Sequence, residues 1–414
     1  MNADAVVCGA GAGGLAAACA LGGLGLQVLL VEKQLKPRPI AKGEVLQPGA
    51  LRILRQWGVA QRLERLDAVR LAQLVARDPF GQSLMALDYH QLNTDDPWLL
   101  AHDHPTILAA LADSLPANVE VRRGVLVERP LRADDGRVLG VRLAEDGRGY
   151  DVHAALVVAA DGVSSRLRRA IGIDPRRAEY PHRLVSFDVS DAPETPNAFT
   201  AYVAERGLRL CYPLPGGRVR LYAQVKPDEL RGADAARLAR WARGLLDEVP
   251  ALKPLTDPLM ANLDARQLFP VGRFLTPRLA APGLALLGES AHAVHPMAAQ
   301  GMNSSIADAE CLARAVASHG TTDDALRAYQ RERLPNLVHI GRMSHNAAVM
   351  LTDTSWRGRL LGRRAARNTG ANPRLRRIVT FNMSGLGVHT LTPLDRLHQI
   401  GLLPDPRAHD VPTK

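Results

Sequence analysis

The sequence predicts an α/β protein in which a parallel sheet is interleaved with a second, mostly antiparallel sheet and is followed by a C-terminal helical region. The first observation is a strand, helix, strand pattern between residues 5 and 31, where two short apolar runs flank an alanine-rich segment. The second is an alternation of apolar and polar residues in several stretches between residues 181 and 275, which is typical of antiparallel strands. The third is the dominance of helical segments from residue 301 to the end.

Length and composition indicate a folded chain of more than one domain. The 414 residues suffice for two or three domains, and 46% hydrophobic with 23% charged residues excludes disorder as the dominant state. The four cysteines, Cys8, Cys19, Cys211 and Cys311, form no CxxC pair and no zinc-like spacing with histidine. A disulfide scaffold, a metal site and a dithiol redox motif are therefore disfavoured, and reduced thiols in a cytoplasm fit best.

The net charge of +10 raises the question of an acidic partner, because nearly all of the excess lies in the last 84 residues. From residue 331 onward there are thirteen arginines and one lysine against five acids. Eight of these arginines could bind anionic lipid or nucleic acid: Arg357, Arg359, Arg363, Arg364, Arg367, Arg374, Arg376 and Arg377. With few aromatic residues and no nucleic-acid motif there, we favour a solvated helical face or ion pairs with acids elsewhere. No nucleic-acid partner is expected, and contact with a membrane surface is the weaker alternative.

The uncharged stretch between Asp4 and Glu32 is long enough to span a bilayer or to act as a signal segment. It contains seven glycines, and no basic residue precedes it. A spanning helix would lack the flanking lysine or arginine that helps to orient insertion. Strand, turn, helix and strand explain the same residues fully, so we reject the membrane interpretation and expect a cytoplasmic protein.

Gly9, Gly11 and Gly14 form a GxGxxG motif directly after the first apolar run. In a Rossmann-type unit the first glycine permits a tight turn, the second lets the backbone approach a pyrophosphate, and the third lets helix and strand pack closely. The N-terminus of the following helix favours phosphate. Glu32 lies 23 positions after Gly9, where it can accept hydrogen bonds from a ribose diol. The unit predicts a dinucleotide site, either NAD or FAD; a glycine-rich turn without a ligand is the alternative.

The motif does not recur, which disfavours reductases with separate FAD and NADPH folds. Further elements are expected as a helix over 43–59 with a loop before it, a hairpin of 71–77 with 84–89, a helix over 106–115, a meander over 120–160 and a strand over 284–287. The predicted domains are a first dinucleotide-binding part with a β insertion near 71–90, a β-sheet substrate domain, the last dinucleotide-binding part and a basic helical region. Their bounds are 1–180, 181–275, 276–345 and 346–414.

Two further motifs lie far from the first in sequence. The second is AADGVSSRLR over residues 159–168, in which Asp161 and Gly162 follow the end of a strand. The third is GESAH over 288–292 followed by PMAAQGMN over 296–303. Ligands of open α/β sheets bind at the carboxyl ends of strands, where both motifs begin. Taken alone, the second could be an ordinary strand-ending turn and the third an ordinary capped helix start.

In this order, over residues 3–330, the three motifs resemble the single-component (group A) FAD-dependent monooxygenases, the family that includes para-hydroxybenzoate hydroxylase. The segment GEVLQPG over 43–49 is also similar to squalene epoxidases, which share the fold. The resemblance implies a Rossmann-type FAD-binding domain with an interleaved antiparallel substrate sheet, and FAD that is bound tightly but not covalently. The cofactor-binding residues it implies are Gly9, Gly11, Gly14, Glu32, Lys33, Lys42, His104, Asp161, Gly162, Glu289, Pro296, Gly301, Met302 and Asn303.

This sequence departs from the family pattern at four of its positions. Glu289 replaces an aspartate that contacts the ribityl chain, and Ala299 replaces a glycine. Lys42 and His104 fall where relatives carry arginines; a solvated lysine and a helix-capping or buried structural histidine are the alternatives. No catalytic acid, base or nucleophile can be named from motif spacing, because in this family the cofactor forms the new bond.

The resemblance implies an oxidoreductase that uses NAD(P)H and O2 to hydroxylate or epoxidise a hydrophobic aromatic or polyene molecule through a flavin C4a-hydroperoxide, in secondary-metabolite or quinone-type biosynthesis. The substrate would lie between the FAD domain and the 181–275 sheet. A flavin-dependent reductase of prenyl double bonds and a non-catalytic dinucleotide-binding protein remain alternatives. A halogenase is disfavoured because its WxWxIP element is absent.

Overall fold

The structure, a computed structural model, describes residues 2–37 and 39–410. The strands, in chain order, are β1 (Asn2–Cys8), β2 (Val28–Glu32), β3 (Val45–Leu46), β4 (Val69–Leu71), β5 (Gln73–Arg77), β6 (Ser83–Asp88), β7 (Leu99–Ala101), β8 (Val119–Arg123), β9 (Leu126–Arg132), β10 (Val138–Glu145), β11 (Arg148–Ala159), β12 (Ala178–Val189), β13 (Ala198–Ala204), β14 (Gly207–Leu214), β15 (Arg218–Val225), β16 (Gln267–Leu275), β17 (Ala280–Ala281), β18 (Leu284–Leu286) and β19 (His292–Ala293). The helices are α1 (Ala12–Gly23), α2 (Pro48–Gln56), α3 (Val59–Arg65), α4 (His104–Ala112), α5 (Arg166–Ala170), α6 (Ala235–Glu248), α7 (Thr256–Ala261), α8 (Gly301–His319), α9 (Asp323–Thr352), α10 (Trp356–Ala371), α11 (Pro373–Ser384) and α12 (Pro393–Gln399).

The first sheet is parallel at its centre, where the strands run in the order β18, β11, β1, β2, β8. Helix α1 packs between this sheet and α8, so that β1 and β2 are covered and read as continuous apolar runs. The hairpin β9–β10 pairs with the first half of β11 through the turns at Gly136 and Gly147, which both have positive φ. The predicted α/β class and the strand, helix, strand unit are confirmed.

The second sheet has the order β19, β16, β12, β15, β14, β13, β5, β6. Its neighbours pair antiparallel, except β13 and β5, which are parallel. Side chains alternate along β12: Phe187 packs against α6, while Leu184 lies on the opposite face in the cluster that includes β5, β6 and the C-terminal helices. The β5–β6 hairpin near 71–90 thus extends the second sheet. Helices α6 and α7 lie within the 181–275 segment and cover its outer face.

The expectation of one helix over residues 43–59 is wrong. The segment forms β3, then α2, then α3, and a small third sheet joins β3 to β7 and β4. Pro48 is the first residue of α2, where its fixed φ suits a helix start. Gly58 has φ +73° and separates α2 from α3.

The C-terminal helices α9 to α12 pack beside the second sheet. Among their arginines, Arg374 is buried and donates to Asp395 and Asp405, so part of the basic charge is paired. Arg363 donates to the Val203 carbonyl at 3.2 Å. Arg374 therefore holds the basic region together internally, whereas Arg363 attaches it to β13 of the second sheet.

Over the described ranges 2–37 and 39–410, no helix combines the length and apolarity needed to cross a membrane. No cluster of three or more His, Cys, Asp or Glu side chains in these ranges could hold a metal ion. All four cysteines are buried and unpaired. Burial raises the pKa of Cys19, Cys211 and Cys311 to about 12, so these thiols are protonated and unreactive at neutral pH.

Candidate functional site

The turn between β1 and α1 holds the first motif, and one of its three glycines faces open space. Gly9 has φ +109°, and a Cβ there would lie 2.3 Å from the Ala160 carbonyl oxygen. A Cβ on Gly14 would lie 1.8 Å from the Gly9 carbonyl oxygen. A Cβ on Gly11 would meet no protein atom within 4 Å, and its backbone conformation suits any residue. Packing therefore requires Gly9 and Gly14, whereas Gly11 keeps a space clear at the N-terminus of α1.

Glu32 closes the same turn from the end of β2. Its Oε2 accepts a hydrogen bond from the Ala10 N–H at 2.8 Å, and its Oε1 accepts one from the Gln34 N–H at 2.9 Å. Each carboxylate oxygen keeps a lone pair for a further donor, such as a ribose hydroxyl. Lys33, the next residue, is exposed.

Asp161 and Gly162 form the turn after β11. Asp161 Oδ2 accepts hydrogen bonds from the N–H groups of Arg166 and Leu167 at 2.8 and 3.3 Å, which caps α5. Its Oδ1 is buried and has no hydrogen-bond partner among the described residues. Gly162 has φ +81°, and a Cβ on it would point into open space. The turn thus combines an unpartnered buried acceptor with an open stretch of backbone.

Arg168 joins the second motif to the third. Its guanidinium is buried and donates to the Val163 carbonyl at 3.0 Å and to the Ser290 carbonyl at 2.8 Å. Ser165 Oγ accepts from the Arg168 N–H at 3.0 Å and fixes the start of α5. Two motifs separated by about 120 positions are therefore held together by one side chain.

Asp308 on α8 holds the third motif in place. It accepts hydrogen bonds from the Gly288 N–H at 3.0 Å, from His292 Nε2 at 2.7 Å and from Arg333 Nε at 2.5 Å. Burial acts to raise the pKa of the Asp308 carboxyl, but His292 and Arg333 outweigh it and lower the pKa to about 2. Asp308 is therefore ionised at neutral pH and fixes Gly288 and His292 on the cavity wall.

Lys42 and Glu289 form an ion pair with 2.5 Å between Nζ and Oε1. Both side chains stay partly exposed, at 45% and 43%. Enclosure of the site acts to raise the pKa of Glu289, but the charge of Lys42 outweighs it and lowers that pKa. A ligand that binds Lys42 must therefore compete with Glu289 for it, and a ligand that binds Glu289 must compete with Lys42.

His104 is the first residue of α4, and its Nδ1 lies 3.1 Å from the Gly43 carbonyl oxygen. Nδ1 therefore carries the proton and donates, which leaves Nε2 as an acceptor. Burial is the main cause that lowers the pKa of His104, and the charge of Lys42 adds to it. The ring is neutral at physiological pH.

Asn303 uses its side chain within the protein. Its Oδ1 accepts from the Gln47 N–H at 2.8 Å, and its Nδ2 donates to the carbonyls of Val45 and Ala299. The amide thus fastens the β3 segment to the start of α8. The first N–H groups of α8, at Gly301 and Met302, have no acceptor within the helix and lie at the cavity.

Ala299, which stands where the resembled family has glycine, adopts the left-handed conformation with φ +48° and ψ 37°. It follows a short turn over Pro296–Ala298 that leads into α8. The position thus keeps the backbone shape that glycine adopts freely, at some cost in strain.

One cavity of about 280 Å³ brings these pieces together. Nine of the residues expected to bind a cofactor line it: Gly11, Gly14, Lys42, His104, Gly162, Glu289, Pro296, Gly301 and Met302. The others, Gly9, Glu32, Lys33, Asp161 and Asn303, are not among the residues that line it. On its other side the second sheet supplies Leu184, Phe199, Leu210, Tyr212 and Tyr222, so one end of the cavity is largely apolar.

A buried polar network that sequence analysis did not single out lies at this wall, and its members Glu44, Tyr212 and Tyr222 line the cavity themselves. Glu44 accepts from Arg220 through both oxygens and from the Tyr212 hydroxyl at 2.8 Å, while the Tyr222 hydroxyl donates to the Ala41 carbonyl. Burial raises the pKa of both tyrosines, so each stays a neutral phenol. Alternation along β15 places Arg220 and Tyr222 on one face, but the sequence does not say which face meets the cavity.

Comparison with known proteins agrees with this geometry. A family model described as "FAD binding domain" matches residues 2–342. The uncharacterized protein slr1300 of Synechocystis is 27% identical over 350 residues, covering 80% of this chain and 81% of that protein. Squalene monooxygenase of Mus musculus is 26% identical over 315 residues, covering 74% of this chain and 53% of that protein. This chain thus spans about half the length of that monooxygenase.

Solved structures match over most of the chain. PqsL of P. aeruginosa, in complex with 2-aminobenzoylacetate, has a TM-score of 0.76 at 27% identity, covering 86% of this chain and 98% of that one. The p-nitrophenol 4-monooxygenase PnpA of Pseudomonas putida has a TM-score of 0.77 at 21% identity, and the match covers 94% of this chain and 99% of that one. The second match shows the shared fold.

Proposed function

The protein belongs to the FAD-binding domain family of flavin-dependent monooxygenases, and from that membership we propose that it uses NAD(P)H and O2 to hydroxylate or epoxidise a hydrophobic aromatic or polyene molecule. The observation that carries the proposal is the single cavity that joins all three nucleotide motifs to an apolar wall of the second sheet. A flavin held by the motifs would face a substrate held by that wall.

The residues present fit FAD. Gly11, Gly162 and Gly301, one from each motif, line the cavity at points where a Cβ would meet no protein atom. Asp161 Oδ1 is a buried acceptor to which no donor within residues 2–37 and 39–410 bonds. A chain that used these turns only for packing would not need to keep all three positions clear. Gly11 and the N-terminus of α1 would therefore hold the pyrophosphate, with Glu32 on the ribose.

Bound FAD would supply the redox chemistry, taking electrons from NAD(P)H and activating O2. The protein's own contribution is electrostatic and steric. The N–H groups of Gly301 and Met302 and the positive end of the α8 dipole favour negative charge beside them. Asp308, ionised and shared by His292 and Arg333, keeps the third motif rigid, so these donors stay in place during turnover.

The second sheet would hold the substrate. Leu184, Phe199 and Leu210 favour an apolar molecule, whereas the hydroxyls of Tyr212 and Tyr222 donate into the protein and keep oxygen lone pairs for a substrate donor. The names of the relatives support this class, because squalene is a polyene and 2-aminobenzoylacetate carries an aromatic ring. Both would suit a largely apolar wall.

The test begins with the visible spectrum of the purified protein and identification of the cofactor after denaturation. A two-band flavin spectrum with released FAD is expected. Candidate apolar aromatics and polyenes are then screened for NAD(P)H oxidation under ¹⁸O₂, with product mass as the readout. Incorporation of one ¹⁸O atom supports the proposal. A product that forms without O2 would favour the prenyl reductase, and a protein that takes up no FAD would overturn the assignment.

A further inference from the structure

A second cavity of about 100 Å³ adjoins the first beneath the C-terminal helices. Phe199 lines both cavities. The turn at Pro296–Ala298 also separates them, because Pro296 lines the first and Met297 lines the second. The partition is therefore a single aromatic ring beside a turn that carries a flexible side chain.

The wall of the second cavity is rich in methionine. Five of the eight methionines in the chain line it, on four different elements: Met85, Met297, Met343, Met350 and Met383. Methionine is unbranched and polarisable and adapts its shape to an apolar guest. Such a concentration around one space is more than core packing requires, because leucine and isoleucine fill a fixed core with better-defined rotamers.

Most of the polar side chains at the same wall, Thr369, Asn382, Arg396 and Gln399, have hydrogen-bond partners within the protein. Asn382 exchanges hydrogen bonds with the backbone of His389 at 2.8 and 2.7 Å. Arg396 donates to Gln399 Oε1 at 2.8 Å, and Gln399 Nε2 donates to Thr369 Oγ1 at 3.3 Å. No acid lines this space in the described part of the chain. The cavity therefore suits an uncharged apolar group.

We propose that the substrate carries an apolar side chain that passes Phe199 and lies in this second cavity while the reacting group stays in the first. The inference rests on the proposed function and narrows its substrate class to molecules with such a chain. A cavity of 150 Å³ admits benzene, so about 100 Å³ takes roughly four carbon atoms. Rotation of the Phe199 ring and of Met297 would open the passage without a change in the backbone.

The test uses the FAD-loaded protein and 4-alkylphenols with methyl, ethyl, propyl, butyl, hexyl and octyl chains, measured by isothermal titration calorimetry. Affinity should rise about fourfold with each methylene group that enters the second cavity, the ratio that follows from apolar burial, and should level off after roughly four such carbons. Equal affinity along the series, or binding by no member, would overturn the proposal.

Two variants fill the second cavity from different helices, Ala347→Phe on α9 and Val379→Phe on α11. Each should weaken the binding of 4-hexylphenol by about 250-fold, fourfold for each of roughly four carbons, and should leave the binding of 4-methylphenol unchanged. The control is Val349→Phe, an exposed position on the same helix as Ala347. If both variants bind 4-hexylphenol as tightly as the parent does, the hexyl group does not lie in the second cavity and the proposal is overturned. Failure to take up FAD would instead count against the proposed function, so the two failures are distinguishable.

Discussion

Glu44 and Arg220 form a buried, bidentate ion pair that joins the cavity-lining segment before β3 to the centre of the second sheet. Arg220 Nε lies 3.0 Å from Glu44 Oε2, and Arg220 Nη2 lies 2.8 Å from Glu44 Oε1. The two residues are 2% and 5% exposed. Since Glu44 lines the cavity together with Gly43 and Val45, this pair ties the cavity wall before β3 to the second sheet.

Replacement of Arg220 should therefore lower the free energy of unfolding. Arg220→Met leaves the Glu44 carboxylate buried with only hydroxyl donors, and we expect a loss of about 3 kcal/mol in the free energy of unfolding at pH 7.5. Burial already raises the pKa of Glu44, and without the arginine it rises further. The deficit should shrink at pH 5.5, where the carboxyl takes up a proton in the folded variant. Urea unfolding of the parent and of Arg220→Met at pH 7.5 and pH 5.5 measures the deficit at each pH.

The exposed pair of Arg314 and Glu332 provides the matched control. Arg314→Met should change stability by less than about 1 kcal/mol, because exposed ion pairs contribute little. A deficit in Arg220→Met that is equally small, or that does not depend on pH, would contradict the role assigned to the buried pair.

Replacement of Gly11 should separate folding from flavin binding. Gly11→Leu places a side chain where no protein atom lies, so the fold should persist while FAD retention is lost. The measurements are the flavin-to-protein absorbance ratio and the apo thermal unfolding temperature. Gly23→Leu, an exposed position at the end of α1 that also meets no neighbour, is the control and should keep its FAD. Full FAD occupancy in Gly11→Leu would refute this placement of the pyrophosphate.

The turn between β1 and α1 could be predicted from sequence, because two of its three motif glycines meet a local steric requirement. Gly9 must turn with positive φ under Ala160, and Gly14 must let α1 touch the turn. Such requirements act over a few residues and leave a spacing that can be read directly. The hairpin turns at Gly136 and Gly147 were predictable for the same reason.

The substrate side of the cavity could not be predicted in this way. Glu44 and Arg220 lie 176 positions apart, and nothing local to either residue indicates the partner. The β5–β6 hairpin joins the second sheet through a parallel pairing with β13, which is equally non-local. The segment 43–59 is different: Pro48 at a helix start and Gly58 between two helices were signals present in the sequence, and the single-helix expectation overlooked them.

Ala299 should tolerate glycine better than its neighbour does. Its left-handed conformation costs an alanine about 1 kcal/mol, which Ala299→Gly would recover, less the added entropy of glycine in the unfolded chain. We expect stability unchanged or raised by up to about 1 kcal/mol. Ala298→Gly, at a buried position without positive φ, should lose about 1 kcal/mol or more. Equal losses in the two variants, measured by urea unfolding, would show that residue 299 is not strained.

The buried pair of His182 and His295 should make the fold sensitive to mild acid. Their Nε2 atoms lie 3.0 Å apart, and His295 Nδ1 accepts from the Met297 N–H at 3.2 Å, so His295 donates through Nε2 and both rings are neutral. Burial lowers the pKa of His182 to about 4 and of His295 to about 3, the latter helped by His182 and His345. The unfolded chain takes up these protons near pH 6.5, so stability should be complete above that pH and decline as the pH falls toward 4.

Urea unfolding at pH 7.5, 6.5, 5.5 and 4.5 should show this decline in the parent protein. His182→Gln keeps an acceptor for His295 Nε2 and removes one titrating ring, so its stability should fall less steeply over the same range. His90→Gln alters an exposed histidine, and its stability should fall with pH as that of the parent does.

Because the pair of His182 and His295 lies beside the turn that leads to Ala299 and α8, the parent should also release FAD as the pH falls through this window, and His182→Gln should release it at lower pH. Parallel curves for parent and His182→Gln would assign the acid sensitivity to other groups.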